Sequence, residues 1–573
     1  MMKQVICDLM HAYEKFYGDV KKAVEKASGK KLGENDLAVP PDTKLGDLSS
    51  SIAFRLAKIQ KKKPPVLAAE IAKKIKPSGL IGEVKTAGPY INFYINWNSF
   101  AGLVLDEAVK TGYGSNNIGK GKTAMVEYSA PNPNKTQHIG HLRNNLIGMA
   151  VANCLAHNGY KVIRANWIND RGIHICKSML AYKKWGNAKK PDIKPDHFVG
   201  KFYMRFVQEE EKNPKLTGEA QEMLRKWEAN DKVTRELWKK LTGWAYDGFN
   251  ETYKTLGCNF DVWFYESKVY GRGKEIVKDA LNKKIFEWDK TKAIIAPLEK
   301  YDLPNKVMIR ADGTTIYSTA DLGLNEAKNK KYKLDKSIFC VASAHELYFK
   351  QLFKIFELLG YPWAKKCYHL SYGMVSLPEG KMSSRKGRVV NADDVINEVL
   401  ESAKAETKKK GIAKNIEKAS QQIGIGALKF TILKTDLHKN VVFDKEKAVS
   451  FEGDTGPYLQ YAHARCCRIL EKVGKTGKED YTKLIKDEEK ALVKKLAEFP
   501  DVVKAAGLDY ELHTLANYLL DLTHAFSTFY LACPVIRAET KELKAARAKL
   551  VKAVKNTLHI GLNLLGIDAP ERM

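Results

Sequence analysis

Between residues 124 and 158 the chain runs from an apolar stretch, Ala124-Met125-Val126, through a loop ending in His138-Ile139-Gly140-His141, into a segment of helical pattern at 142–158. That succession reads as strand, loop and helix start, the repeating unit of a parallel sheet with helical crossovers. It also makes a place for phosphate, because the unpaired N–H groups and dipole of a helix N-terminus favour anions. His138 and His141 stand three apart and share one face of the first turn. Gly140 between them has no side chain, so a nucleotide can approach the backbone closely. Far downstream lies a short basic segment, Lys381-Met382-Ser383-Ser384-Arg385-Lys386-Gly387, suited to closing over a polyphosphate. Together the two segments point to ATP held for chemistry at its α-phosphate.

Strand and helix patterns keep alternating after residue 123, with strand candidates at 124–128, 162–167, 314–318 and 337–342 and helices at 142–158 and 345–359. In such open sheets ligands bind beyond the strand C-termini, which is where the histidines fall. Charged helical sequence at about 182–304 interrupts the rhythm and reads as an insertion. Residues 1–112 form a separate α+β unit, in which 47–63 reads as helix, stopped by Lys61-Lys62-Lys63-Pro64-Pro65, and 85–97 as one strand. The turn-rich Tyr113-Gly114-Ser115-Asn116-Asn117 marks its end. The expected architecture is therefore α/β and multidomain, with a Rossmann-like sheet over 113–450 and a helical domain over 451–573.

At 573 residues the chain needs several cores. A formal net charge of +29 favours a polyanionic partner, although a Lys-rich surface also serves solubility. No stretch approaches a membrane-spanning length, and the N-terminus carries Asp8 and Glu14 where a signal peptide would be apolar. Cytoplasmic residence is the simplest expectation. Nine scattered cysteines include no CxxC pair and no zinc spacing, so they read as reduced structural thiols with no protein-bound metal.

The two segments resemble the signatures of class I aminoacyl-tRNA synthetases, usually written HIGH and KMSKS. Their surroundings resemble the arginyl-tRNA synthetase family: Val126-Glu127-Tyr128-Ser129-Ala130-Pro131-Asn132, Asn169-Asp170-Arg171-Gly172, and the tail Gly566-Ile567-Asp568-Ala569-Pro570-Glu571-Arg572-Met573. The resemblance runs from Gly46 to the last residue and is least specific between Gly186 and Asp261. It implies an N-terminal domain touching the tRNA elbow, a C-terminal α-helical anticodon-binding domain, ATP with Mg²⁺ as substrate, and L-arginine and tRNA(Arg) as partners of a monomer. Arginine activation that depends on bound tRNA is a further implication.

The first step, attack of an ionised amino-acid carboxylate on the α-phosphorus, needs no general base, only positioning and charge neutralisation. His138, His141, Lys381 and Lys386 suit that task, with Gly140, Met382 and Ser383 completing the ATP contacts. The motif's second lysine is replaced by Ser384; in similar arginyl enzymes a lysine before the histidines takes its place, here Lys135, with Lys386 the alternative. The resemblance carries Tyr317 and Asp321 to the guanidinium, with Glu127 near the pocket mouth and Asn132 and Ser129 on the α-amino group. His345 stands where relatives often have glutamine. Asp321 and His345 also read as helix-start residues. The segment Gly456 to Arg465, rich in aromatics and bases, suits stacking on unpaired nucleotides, with part of it expected in the core. Lys541, Lys544, Arg547, Lys549, Lys552 and Lys555 form either a solvated helix face or a tRNA contact.

A small-molecule nucleotidyltransferase shares the HxGH helix start but needs no long helical domain. A non-catalytic tRNA-binding paralogue would have lost the histidines or the basic loop. A cysteinyl enzyme would need a zinc-like cysteine set.

Overall fold

The computed structural model describes residues 12–378, 390–411 and 415–573. Five strands make the central sheet: β1 (Thr123–Glu127), β2 (Lys161–Ile168), β3 (Val262–Tyr265), β4 (Lys336–Ala342) and β5 (Cys367–Tyr372), in the order β5-β4-β1-β2-β3. All four pairings are parallel. The chain builds outward from β1 to β3, then returns to place β4 on the other side of β1. That reversal opens a crevice beyond the C-terminal ends of β1 and β4. Helix α1 (Ile139–His157) follows β1 and is buried along nearly its whole length, from Leu142 and Leu146 to Val151 and Leu155. The remaining helices around the site are α2 (Pro195–Lys212), α3 (Lys232–Leu256), α4 (Glu266–Asn282), α5 (Tyr317–Tyr332), α6 (Glu346–Leu358) and α7 (Ala392–Lys410).

Residues 314–318 are not a strand. Lys306–Ile309 pairs with Ile294–Ala296 in a small antiparallel sheet, a turn at Gly313 follows, and α5 begins at Tyr317. The β-branched Thr314, Thr315 and Ile316 mimic a strand locally, but the Thr319 hydroxyl accepts the Ile316 N–H and starts a helix. The span 182–304 is not wholly an insertion, because Val262–Tyr265 is the edge strand of the main sheet. Residues 47–63 hold a short strand, Leu48–Ser50, before the helix Ile52–Gln60. The single strand expected at 85–97 is a hairpin, Ile81–Ala87 with Tyr90–Ile95, turning at Gly88 with φ +55°.

The N-terminal unit carries a four-stranded antiparallel sheet and docks on the C-terminal helices. Trp97 donates its indole N–H to the Leu484 carbonyl at 2.9 Å, the Tyr113 hydroxyl reaches the Leu496 carbonyl at 2.6 Å, and Asn556 bonds the Ala108 and Lys110 carbonyls at 2.7 Å. First and last units therefore touch, closing the chain on itself. In the helical region, α8 (Gly456–Val473) holds the tail: Gln460 bonds the Asp568 carbonyl, His463 the Pro570 carbonyl and Arg468 the Met573 carbonyl. His463 is thus core rather than surface. Arg547 of the basic run is also buried, paired with Glu489 at 2.7 Å. No helix among the described residues is long and apolar enough to cross a membrane.

Candidate active site

His138 is the N-cap of α1. Its Nδ1 accepts the Gly140 N–H at 3.1 Å, and the Nδ1 of His141 accepts the His138 N–H at 3.1 Å. The rings lie against each other, tilted by 51°, with centroids 3.9 Å apart. With both Nδ1 atoms accepting, each neutral ring carries its proton on Nε2, turned into a donor. Burial lowers the His138 pKa to about 4, helped by the charge of Lys135, and burial lowers His141 well below its usual value. The pair is therefore neutral and donating at pH 7. A Cβ at Gly140 would lie 2.8 Å from the His138 ring, so only glycine fits this turn as built.

The same turn holds the chain on both sides of residues 379–389. Arg143, fully buried, donates to the carbonyls of Gly373 (2.7 Å), Lys439 (2.9 Å), Met374 and Leu437 (both 3.1 Å). On the other side, Ile139 N–H donates to Val390 O and Ala392 N–H to Gln137 O, both at 3.0 Å, bridging His138 to Asn391. Lys381, Met382, Ser383 and Lys386 lie outside the described residues.

Asp321 lies just past the first turn of α5, so it is not the helix-start acid that the sequence also allowed. Tyr348 of α6 donates its hydroxyl to the Asp321 carboxylate, and the Tyr317 and Tyr348 rings lie 5.4 Å apart. Lys306 stands 4.8 Å from the Tyr348 ring centroid. Burial raises the Asp321 pKa to about 6, against the Tyr348 hydrogen bond and the charges of Lys328 and Lys306. Glu127, at the end of β1, is buried and ion-paired with Lys328, not open at a pocket mouth. Lys328 is itself fully buried, 5.5 and 5.1 Å from the Phe264 and Phe339 ring centroids. The Ser129 hydroxyl lies 2.6 Å from that of Tyr253, and its N–H is held by the Asn144 side chain. Asn132 is half-buried and its carbonyl receives the Lys135 N–H at 3.2 Å, while the Lys135 side chain is exposed. His345 is exposed in the single turn Ser343–His345 after β4.

The structure thus gathers His138 with His141, and Tyr317 with Asp321. It commits Glu127 and Ser129 to protein partners. Sequence reading missed Tyr348, Lys328 and Glu266. Burial raises Glu266 to about 7 despite Arg171, whose guanidinium is 3.6 Å away and stacks 4.4 Å from the Tyr270 ring. The Asn169-Asp170-Arg171-Gly172 segment could have flagged this. Asp170 caps α4 through the Ser267 N–H (2.8 Å) and hydroxyl (2.7 Å).

A parallel sheet with a histidine-capped helix at its switch point and a long helical domain defines a class I tRNA synthetase, an aminoacyl-tRNA ligase. Residues 104–445 match the family described as tRNA synthetases class I (R), catalytic domain; 459–573 match the DALR anticodon binding domain, and 15–95 the arginyl tRNA synthetase N terminal domain. The chain belongs to the arginyl-tRNA synthetase family. It is 36% identical to an arginine–tRNA ligase of Treponema denticola, covering 99% of this chain and all of that one. It is 38% identical to that of Clostridioides difficile, covering 97% and 98%. The solved arginyl-tRNA synthetase of Thermus thermophilus superposes with a TM-score of 0.80 at 27% identity, over 97% of this chain and all of that one.

Proposed function

We propose that this chain condenses L-arginine with ATP to arginyl-adenylate and pyrophosphate, then transfers the arginyl group to the terminal adenosine of tRNA(Arg). The observation that supports this best is a neutral histidine pair at the switch point, together with a desolvated carboxylate, Asp321, that among the described residues accepts a phenol hydroxyl and forms no ion pair. His138 and His141 would donate Nε2–H to phosphate oxygens, and Gly140 would let ATP lie against the backbone. Lys135 or Lys386, with Lys381, would neutralise charge as pyrophosphate leaves, Met382 and Ser383 completing the loop's contact. Mg²⁺ would enter with ATP as part of the substrate complex.

Arginine needs a planar acceptor for its fork and something that discriminates against lysine. Asp321 offers a carboxylate held in orientation by Tyr348, with the exposed face of Tyr317 beside it. Glu127 would act from behind through Lys328. Asn132 is the stronger candidate for the α-amino group, since Tyr253 engages Ser129. His345 stays a candidate at the rim.

On α8, Tyr461 and Arg465 line a groove of about 380 Å³ together with Lys410, Phe451, Tyr458 and Phe526. Arg465 stacks on Tyr461 and Tyr530 at 4.9 and 5.1 Å, leaving cationic and aromatic surfaces for unpaired bases. A cytoplasmic monomer is the setting this activity implies. ATP–pyrophosphate exchange with L-arginine, with and without tRNA bearing an arginine anticodon, tests the reading. Exchange only with tRNA supports the tRNA-dependent mechanism. Exchange without tRNA keeps the ligase alone, and none in either case removes the proposal.

A further inference from the structure

Helix α2 of the insertion meets the start of α7 in a cluster that the reaction as described leaves unused. Lys194 donates to Asp393 Oδ2 at 2.9 Å and to the Thr252 hydroxyl of α3 at 2.7 Å, and lies 3.1 Å from Asp196. His197 Nε2 is 2.6 Å from the same Asp393 oxygen, and the Thr252 hydroxyl donates to the other at 3.0 Å. Asp196 is fully buried against α3, where a Cβ at Gly248 would collide with its carboxylate. Asp196, His197 and Asp393 are close enough to ligate a metal, but the Lys194 ammonium already stands among their oxygens. The cluster is thus two carboxylates neutralised by a lysine and an imidazole. Burial alone would raise Asp393; the His197 hydrogen bond and Lys194 hold it down at about 2, and that hydrogen bond raises His197 in turn.

What the cluster holds is next to the chemistry. Asp393 is two residues beyond Asn391, which caps α7 and bridges to His138. The flanking bonds, Ile139 to Val390 and Gln137 to Ala392, fix the backbone of the histidine turn from the same segment. A second contact from α2 reaches that turn, since Gly200 packs on Thr136 and Lys135.

We propose that Lys194, His197 and Asp393 are positioning residues through which the inserted helix α2 holds the His138 turn in register for ATP. The proposal rests on the reading that His138 meets ATP. The proposed guanidinium site, Tyr317 and Asp321 with Tyr348, is built on α5 and α6, so losing the cluster weighs more on ATP than on arginine. A misplacement of about 1 Å at a reacting group costs up to about a hundredfold in rate, so even partial loosening is measurable.

The test is pyrophosphate exchange with full-length Asp393→Asn and saturating tRNA. KM for ATP is expected to rise about tenfold while KM for arginine stays within about twofold. Asp393→Glu, which keeps a charge for Lys194, is expected to recover most of the loss. Thr252→Val removes one hydroxyl from the network without removing a charge; it is expected to shift KM for ATP in the same direction by less, and it carries the test if Asp393→Asn does not fold. An unchanged KM for ATP in a folded variant overturns the proposal. So does a parallel rise for both substrates, which would mark a role in stability alone. Absence of exchange in the unsubstituted chain would instead remove the proposed function, before the cluster is tested.

Discussion

Asp321 and Asp393 both lie toward the N-terminal end of a helix, and their ionisation runs in opposite directions. Asp393 is in the first turn of α7, where the dipole favours a negative charge, and Asp321 is just past the first turn of α5. Burial takes Asp321 up to about 6, whereas the His197 hydrogen bond and the Lys194 charge hold Asp393 down at about 2. The difference lies in what faces each one. Asp393 has Lys194 and His197 within hydrogen-bond distance, whereas among the described residues Asp321 forms no ion pair and receives a phenol hydroxyl. A desolvated carboxylate without its own cation keeps a penalty that an incoming guanidinium can relieve. One supplied with cations is already satisfied and serves the framework. Glu127 belongs with Asp393 in this respect, because Lys328 satisfies it.

The linkage signs follow. Asp321 binds its proton more tightly folded than unfolded, so it removes stability as pH rises from its unfolded value toward about 6. Asp393 does the reverse, adding stability above its unfolded value that is lost as pH falls toward about 2.

The largest expected effect breaks the comparison if it fails. Asp321→Asn should lower kcat/KM for arginine by about 10³ while leaving the melting temperature unreduced, since it removes a charge that has no cation of its own. Loss of stability alongside activity would show that Asp321 is framework too. Next, Glu127→Gln should cost about 3 kcal/mol of folding free energy in a denaturant titration, because it strands the buried Lys328. A stable variant defective only in arginine binding would move Glu127 into the ligand site.

The central part of this site was legible in the sequence, and its supports were not. Strand, HxGH turn and helix are consecutive, so local pattern sufficed for His138, Gly140 and His141. Lys328 lies 201 residues from Glu127, and Tyr348 lies 27 from Asp321 on a different helix, so only the folded sheet brings each pair together. The misread strand at 314–318 had a local cause: three β-branched residues outweighed the Thr319 capping signal. Val262–Tyr265 was hidden because a long helical excursion separates it from β2, and edge strands carry weak patterns. In the basic run, spacing alone could not tell that Arg547 turns inward to Glu489.

A smaller effect follows from pH. On the proposed reading, in which ionised Asp321 receives the guanidinium, KM for arginine should climb below about pH 6, approaching tenfold per unit, while Asp321 contributes no such limb to KM for ATP. The histidine pair does not blur this limb, because burial keeps His138 at about 4 and His141 lower than usual. A flat arginine profile between pH 5 and 7 would mean that the bound guanidinium is recognised elsewhere.

The finest probe is Tyr348→Phe, which removes one hydroxyl and leaves the ring. The hydrogen bond from Tyr348 favours the charged form of Asp321, so its loss should raise that carboxyl above about 6. A hydrogen bond to a charged group is worth about 1.5–3 kcal/mol, which corresponds to about one pH unit or more. The acid limb of the arginine KM should therefore move to higher pH by about one unit, with a modest loss at pH 8, where Asp321 is ionised in either chain. A uniform loss at every pH, without movement of the limb, would mean that the hydroxyl contacts arginine directly. Unchanged kinetics throughout would mean that the Tyr348 bond gives way when arginine binds, and that Asp321 meets its ligand with no oriented support.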